Sequence, residues 1–155
     1  FGTKNIGIRR TGAPAQYFDE MHTLSNIDAL LPRADLVIGC LPNTKETGHI
    51  LNYDRLCLMK SDALFINVGR GSLIDTVEER RIAGAILDVL ENEPLAADSP
   101  LWKMPNVLIT PHISGRGFGH DPETEKKVWD ICLGNLRRYI AGEDIINEVD
   151  MNLGY

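Results

Sequence analysis

Ala63-Leu64-Phe65-Ile66-Asn67, running on into Val68-Gly69-Arg70-Gly71, is an apolar run of strand length that breaks into a loop with one arginine between two glycines. Five residues are too few for a buried helix, and an apolar run with no alternation reads as a strand covered on both faces. Upstream, Leu36-Val37-Ile38-Gly39-Cys40-Leu41 reads the same way and is ended by Pro42-Asn43-Thr44. Between the two runs, Asn52 is placed to cap a helical segment carrying Leu56, Leu58 and Met59. Downstream, the stretches Ala83 to Val89 and Asn106 to Thr110 are further strands, the second after a proline-punctuated loop.

The amino-terminal part fits the same scheme. Lys4 to Arg9 is a short strand, Thr11-Gly12-Ala13-Pro14 a turn, and Ser25 the cap of a helix that runs through Leu31 and stops at Pro32. Asp75 onward is briefly helical. Strands that alternate with helices and are apolar throughout imply an α/β fold, a doubly wound parallel sheet with helices over both faces. Pro122 to Ala141 is one long helix with Val128, Ile131, Leu136 and Ile140 on its apolar side and Gly142 as its stop. Ile145 to Tyr155 is an irregular tail.

Bulk properties narrow the class. A chain of 155 residues, 43% hydrophobic, can bury one proper core. A formal charge of -6 argues against a nucleic-acid partner, which needs a concentrated basic face. No apolar run reaches the ~18 residues of a membrane span, and Phe1-Gly2-Thr3-Lys4 lacks a signal-peptide pattern, so a cytoplasmic protein is expected. Cys40, Cys57 and Cys132 are odd in number and set among aliphatic residues, which predicts reduced core thiols, not disulfides or a metal knuckle.

Four candidate sites follow directly after strands, and in a doubly wound sheet the carboxyl ends converge on one crevice. They are Arg9-Arg10, Pro42-Asn43-Thr44, Gly69-Arg70-Gly71 with Asp88 to Glu93, and His112. Arg70, freed by its glycines, offers a planar fork suited to a carboxylate. His112, after Thr110-Pro111, is an imidazole able to exchange protons near neutrality. Glu93, held before Pro94, could orient that ring and favour its protonated form. Taken singly, each also fits a solvated or salt-bridged surface role. Arg9 and Arg10 lie where such folds read an adenine ribose: an acid there selects the 2'-hydroxyl, and arginine accepts a 2'-phosphate, so NADP is preferred over NAD. The bland alternative is a pair that blunts a strand end in solvent.

Three long segments carry a resemblance: Asn67 to Asp75 (Asn-Val-Gly-Arg-Gly-Ser-Leu-Ile-Asp), Leu87 to Leu95 (Leu-Asp-Val-Leu-Glu-Asn-Glu-Pro-Leu), and Pro105 to Ile113 (Pro-Asn-Val-Leu-Ile-Thr-Pro-His-Ile). Together with Leu41-Pro42-Asn43-Thr44-Lys45-Glu46-Thr47, in this order, they resemble the nucleotide-binding domain of the D-isomer-specific 2-hydroxyacid dehydrogenases, a Rossmann-like fold. The resemblance implies that Arg70 anchors a substrate carboxylate, His112 is the acid/base, Glu93 holds His112, and Asp88 contacts the nicotinamide carboxamide. It implies that Leu41, Pro42, Thr47, Val68 and Gly69 line the nucleotide. Arg9 stands where NAD-specific members often have aspartate. The implied reaction is hydride transfer between NADP or NAD and a 2-oxo or D-2-hydroxy acid, in a homodimer to which the helix from Pro122 could contribute.

Two departures shape the expected organisation. The family's glycine-rich phosphate loop belongs just before Phe1, and its substrate domain is absent, so residues 1–121 are expected to form an incomplete dinucleotide-binding domain and 122–155 a helix and tail leading back to the substrate domain. The crossover Asp75 to Ile82 is shorter than the dozen or so residues that a parallel connection needs. Other readings are a nucleotide-sensing dimeric scaffold of the corepressor kind and a phosphite dehydrogenase-like enzyme. Formate dehydrogenases carry an amide at the position of Glu93, so the carboxylate disfavours them.

Overall fold

A computed structural model of the chain describes residues 2–73, 82–115 and 121–150. Among these residues six strands run in the order β1 (Ile6–Ile8), β2 (Glu20–His22), β3 (Leu36–Gly39), β4 (Leu64–Asn67), β5 (Gly84–Leu87) and β6 (Val107–Ile109). Three α-helices accompany them: α1 (Ile27–Leu30), α2 (Tyr53–Leu58) and α3 (Pro122–Ala141). β1 pairs with β2, and β3-β4-β5-β6 form a four-stranded sheet; every pair is parallel. All carboxyl ends of each sheet therefore lie on one edge.

The register separates two faces. Phe65 is aligned with Val37 and Ala85, and Asn67 with Gly39 and Leu87; this face is packed by Ile27, Leu31, Ile50, Leu51, Leu56, Met59, Leu73 and Ile82. Phe65 and Leu87 are almost completely buried, and each such side chain contributes about 1.5–3 kcal/mol of transfer free energy. Asn52 caps α2 as expected, its side chain accepting from Arg55 N at 3.1 Å. Gly142, with φ of 72°, ends α3 as expected, in the left-handed conformation that suits glycine.

Several expectations are corrected. The opposite sheet face is not covered among the described residues: Leu36, Ile38, Leu64 and Leu108 are 44–57% exposed, because α1, α2 and the turns around them all pack on the Phe65 face. Ser25 does not cap a helix; it sits inside a 3-10 turn (Leu24–Asn26) whose N-cap position is Thr23, and its hydroxyl pairs with that of Thr23 at 2.8 Å. Cys40, Cys57 and Cys132 are free thiols but exposed, not core residues. The apolar residues of α3, Val128, Ile131, Leu136 and Ile140, are also exposed among the described residues.

β2 was not foreseen. Its three residues, Glu-Met-His, hold one apolar side chain, too little pattern to announce a strand. Its hydrogen bonds to β1, not its hydrophobicity, define it. The helix expected from Asp75 and the short crossover lie outside the described residues, as do the last five residues of the tail.

Candidate active site

Four loops at the strand ends meet in a continuous line of contacts. Leu41, just past β3, touches Gly69, just past β4: a Cβ on Gly69 would stand 2.9 Å from the Leu41 carbonyl oxygen. Asn67, fully buried at the end of β4, shapes that loop by accepting from Gly69 N at 3.2 Å and donating to the Arg70 carbonyl at 3.0 Å. A polar residue ending an apolar strand was the signal for this role. Arg70 itself is exposed; its guanidinium donates to the Gly69 carbonyl at 2.9 Å and forms no salt bridge among the described residues.

Gly71 carries the line to the next loop. A Cβ placed on it would overlap the Leu90–Glu91 peptide, 1.8 Å from the Leu90 carbonyl carbon. Leu90 N in turn donates to Glu93 Oε1 at 2.8 Å, and Glu93 Oε2 lies 2.9 Å from His112 Nδ1. The Leu90 N–H, then the His112 ring, hold the Glu93 carboxyl below the usual carboxylate range. With Nδ1 engaged by Glu93, Nε2 of His112 is the ring nitrogen left for proton exchange.

Asp88, at the end of β5, is 3% exposed. Its Oδ1 accepts from the Thr110 hydroxyl and from Ile113 N at 2.8 Å, and its Oδ2 from Ser114 N at 2.9 Å. Burial opposes the charge, but the hydrogen bonds from Ser114, Thr110 and Ile113 outweigh it and hold the carboxyl well below its ordinary range. Sequence reasoning did not anticipate that this side chain is turned onto the His112 segment.

The remaining candidates are distributed as follows. Thr47 is buried, its hydroxyl donating to the Pro42 carbonyl and accepting from Thr44 N at 2.8 Å, so it builds the turn after β3. Pro42 and Val68 are exposed at the ends of β3 and β4, and Leu41 is half-buried. Arg9 and Arg10 stand apart from this line, exposed just past β1 in the two-stranded sheet, with Arg9 N bonded to the His22 carbonyl at 3.0 Å. A dinucleotide fits this donor set: apolar surface at the ends of β3 and β4 suits a ring system, and exposed guanidinium groups suit phosphate.

Comparison with known proteins agrees with the architecture. Residues 1–114 match the family model described as "D-isomer specific 2-hydroxyacid dehydrogenase, NAD binding domain". The chain is similar to a D-isomer specific 2-hydroxyacid dehydrogenase from Xanthobacter autotrophicus Py2, solved in complex with NADPH and MES, with TM-score 0.86 and 35% identity over 97% of this chain and 62% of that one. It is similar to an NADPH-dependent glyoxylate/hydroxypyruvate reductase from Sinorhizobium meliloti, solved with NADP and sulfate, with TM-score 0.78 and 29% identity over 99% of this chain and 50% of that one. A glyoxylate reductase of Thermofilum pendens is 38% identical over 77% of this chain and 36% of its own length. The chain thus spans half or less of most of the relatives it matches. With its parallel Rossmann-like sheet and the matched residues, the chain belongs to the D-isomer specific 2-hydroxyacid dehydrogenase family and carries that family's NAD-binding domain.

Proposed function

We propose that the protein carrying this domain reduces a small 2-oxo acid to a D-2-hydroxy acid with NADPH in preference to NADH. The observation that supports it best is the 2.9 Å pair between Glu93 and His112 on a loop packed directly against the loop of Arg70. Bound nicotinamide supplies or accepts the hydride. Arg70 would hold the substrate carboxylate with two parallel charge-assisted bonds, fixing the keto carbon in one orientation. His112 would deliver a proton from Nε2 to the forming alkoxide, and Glu93 keeps the ring turned by holding Nδ1. Leu41, Pro42, Val68 and Gly69 would line the nucleotide, with Thr47 supporting the turn beneath it. Residues 122–155 are assigned to the connection with a substrate domain, and the exposed apolar residues of α3 to a homodimer contact, in a cytoplasmic protein.

The test is an assay of the full-length protein for oxidation of NADPH and NADH with glyoxylate, hydroxypyruvate and pyruvate. Turnover with at least one is expected. No oxidation of either nucleotide with any of them would sink the reading.

Cofactor choice gives a separate prediction. On this reading Arg9 and Arg10 would each offer a charge-assisted bond to a 2'-phosphate, about 1.5–3 kcal/mol apiece. Replacing both with alanine should cut the NADPH:NADH ratio of kcat/KM by about 100-fold or more, chiefly through the KM of NADPH. Equal efficiency of the unaltered protein with both nucleotides would remove the assignment.

A further inference from the structure

We infer that Asp88 is the positioning residue that forces His112 into its backbone conformation and so presents the imidazole; the inference rests on the dehydrogenase reading of this site. His112 has φ of 57°, a left-handed conformation that a residue with a Cβ adopts only when its surroundings impose it. Most of the hydrogen bonds around its backbone lead to one residue. His112 N is shared between the Asp88 carbonyl and the Thr110 carbonyl, each at 3.0 Å. The two amides that follow, Ile113 N and Ser114 N, donate to the two carboxylate oxygens at 2.8 and 2.9 Å, and the Thr110 hydroxyl, two residues before His112, donates to Oδ1.

The histidine is therefore bracketed. Donors on both sides of it converge on a single side chain, and only an ionised carboxylate accepts from all of them without presenting a donor of its own. Asp88 also begins the loop that ends in Glu93, so one segment, 88–93, holds the backbone of His112 at one end and its ring at the other. In the absence of the carboxylate, residues 112–114 would relax toward an ordinary backbone and carry the ring away from the substrate.

The experiment compares full-length Asp88→Asn with the unaltered protein. Asparagine keeps the shape but turns an NH2 group toward a backbone N–H, so at least one of the bracketing bonds is lost. Misplacing a catalytic group by about 1 Å costs roughly 100-fold, so kcat for 2-oxo acid reduction should fall about 100-fold while the Kd of NADPH, from fluorescence titration, stays within about threefold. The reverse pattern, a tenfold weaker Kd with kcat within about threefold, would overturn the inference in favour of a carboxamide contact. Amide hydrogen exchange in the nucleotide-free protein provides a readout independent of turnover: Ile113 and Ser114 should exchange at least about tenfold faster in the variant. Unchanged exchange overturns the inference even in an active enzyme, whereas faster exchange in a protein with no 2-oxo acid reductase activity supports the bracket and removes only the dehydrogenase reading. If Asp88→Asn does not fold, Thr110→Val removes one donor and leaves the carboxylate. It should lower kcat about fivefold at constant NADPH Kd, and an unchanged kcat would count against the bracket.

Discussion

Replacing His112 with alanine in the full-length protein is expected to lower kcat for 2-oxo acid reduction by about 10³-fold, while NADPH binds nearly as before. The magnitude follows from what a positioned acid contributes, about 10²–10⁴-fold. Of the other histidines among the described residues, His22 pairs with Glu20, and His49 with Glu91 on the loop that carries Glu93. Glu93→Gln should be milder, about 10- to 100-fold, because glutamine can still accept from Nδ1 but carries no charge. The pH dependence separates the two residues. A carboxyl held below its usual range by Leu90 N–H and His112 remains ionised from about pH 5 upward, so Glu93 cannot cause a change of activity between pH 5 and 9 by its own titration. Its contribution to stability has the matching sign: present above the unfolded carboxyl value, and lost as pH falls through the lower folded one. Steady-state kinetics from pH 5 to 9 check both points. An alanine variant that kept more than about a tenth of the original kcat would exclude His112 as the acid.

The strands that position this site were legible because β3, β4, β5 and β6 are each apolar runs of strand length, too short for a buried helix. The three candidate residues, Arg70, Glu93 and His112, were legible for a different reason: each follows such a strand, and parallel pairing brings all the ends to one edge. Their roles came from motif resemblance, since Arg70, Glu93 and His112 taken singly fit a surface equally well. What stayed hidden was the wiring between loops. The hydrogen bonds of Asn67 to Arg70, of Leu90 to Glu93 and of Asp88 to Thr110, Ile113 and Ser114 depend on where backbone amides point, which no residue pattern encodes. Surface exposure was illegible too. Ile38 and Leu108 are as apolar as Phe65, and only the placement of α1 and α2 decides which of them is covered.

Gly71→Ala is expected to be the most damaging single-methyl change in the domain. The glycine has no special backbone angle; what it supplies is room. A Cβ would lie 1.8 Å from the Leu90 carbonyl carbon, 2.0 Å from its oxygen and 2.3 Å from Glu91 N. All three are backbone atoms, so no rotamer change relieves the overlap, and the loops after β4 and β5 must move apart. Overpacking of this kind costs about 1–3 kcal/mol, occasionally more. The functional loss should exceed the loss of stability, because the same movement separates Arg70 from Glu93 and His112, the spacing that sets how a substrate carboxylate stands against the acid. A displacement near 1 Å is worth about 100-fold, so kcat/KM for the 2-oxo acid should fall by about 10²–10³, with KM rising as the anchor shifts and kcat falling as the acid loses its approach. Gly134→Ala on α3 is the matched control: nothing lies within 4 Å of its added Cβ, and alanine in place of glycine inside a helix should stabilise by about 1 kcal/mol with no kinetic effect. Thermal unfolding and steady-state kinetics of the two variants decide the matter. Wild-type kinetics in Gly71→Ala would mean that the loops of Arg70 and Glu93 do not depend on this contact, and the geometry that ties the anchor to the acid would have to come from elsewhere.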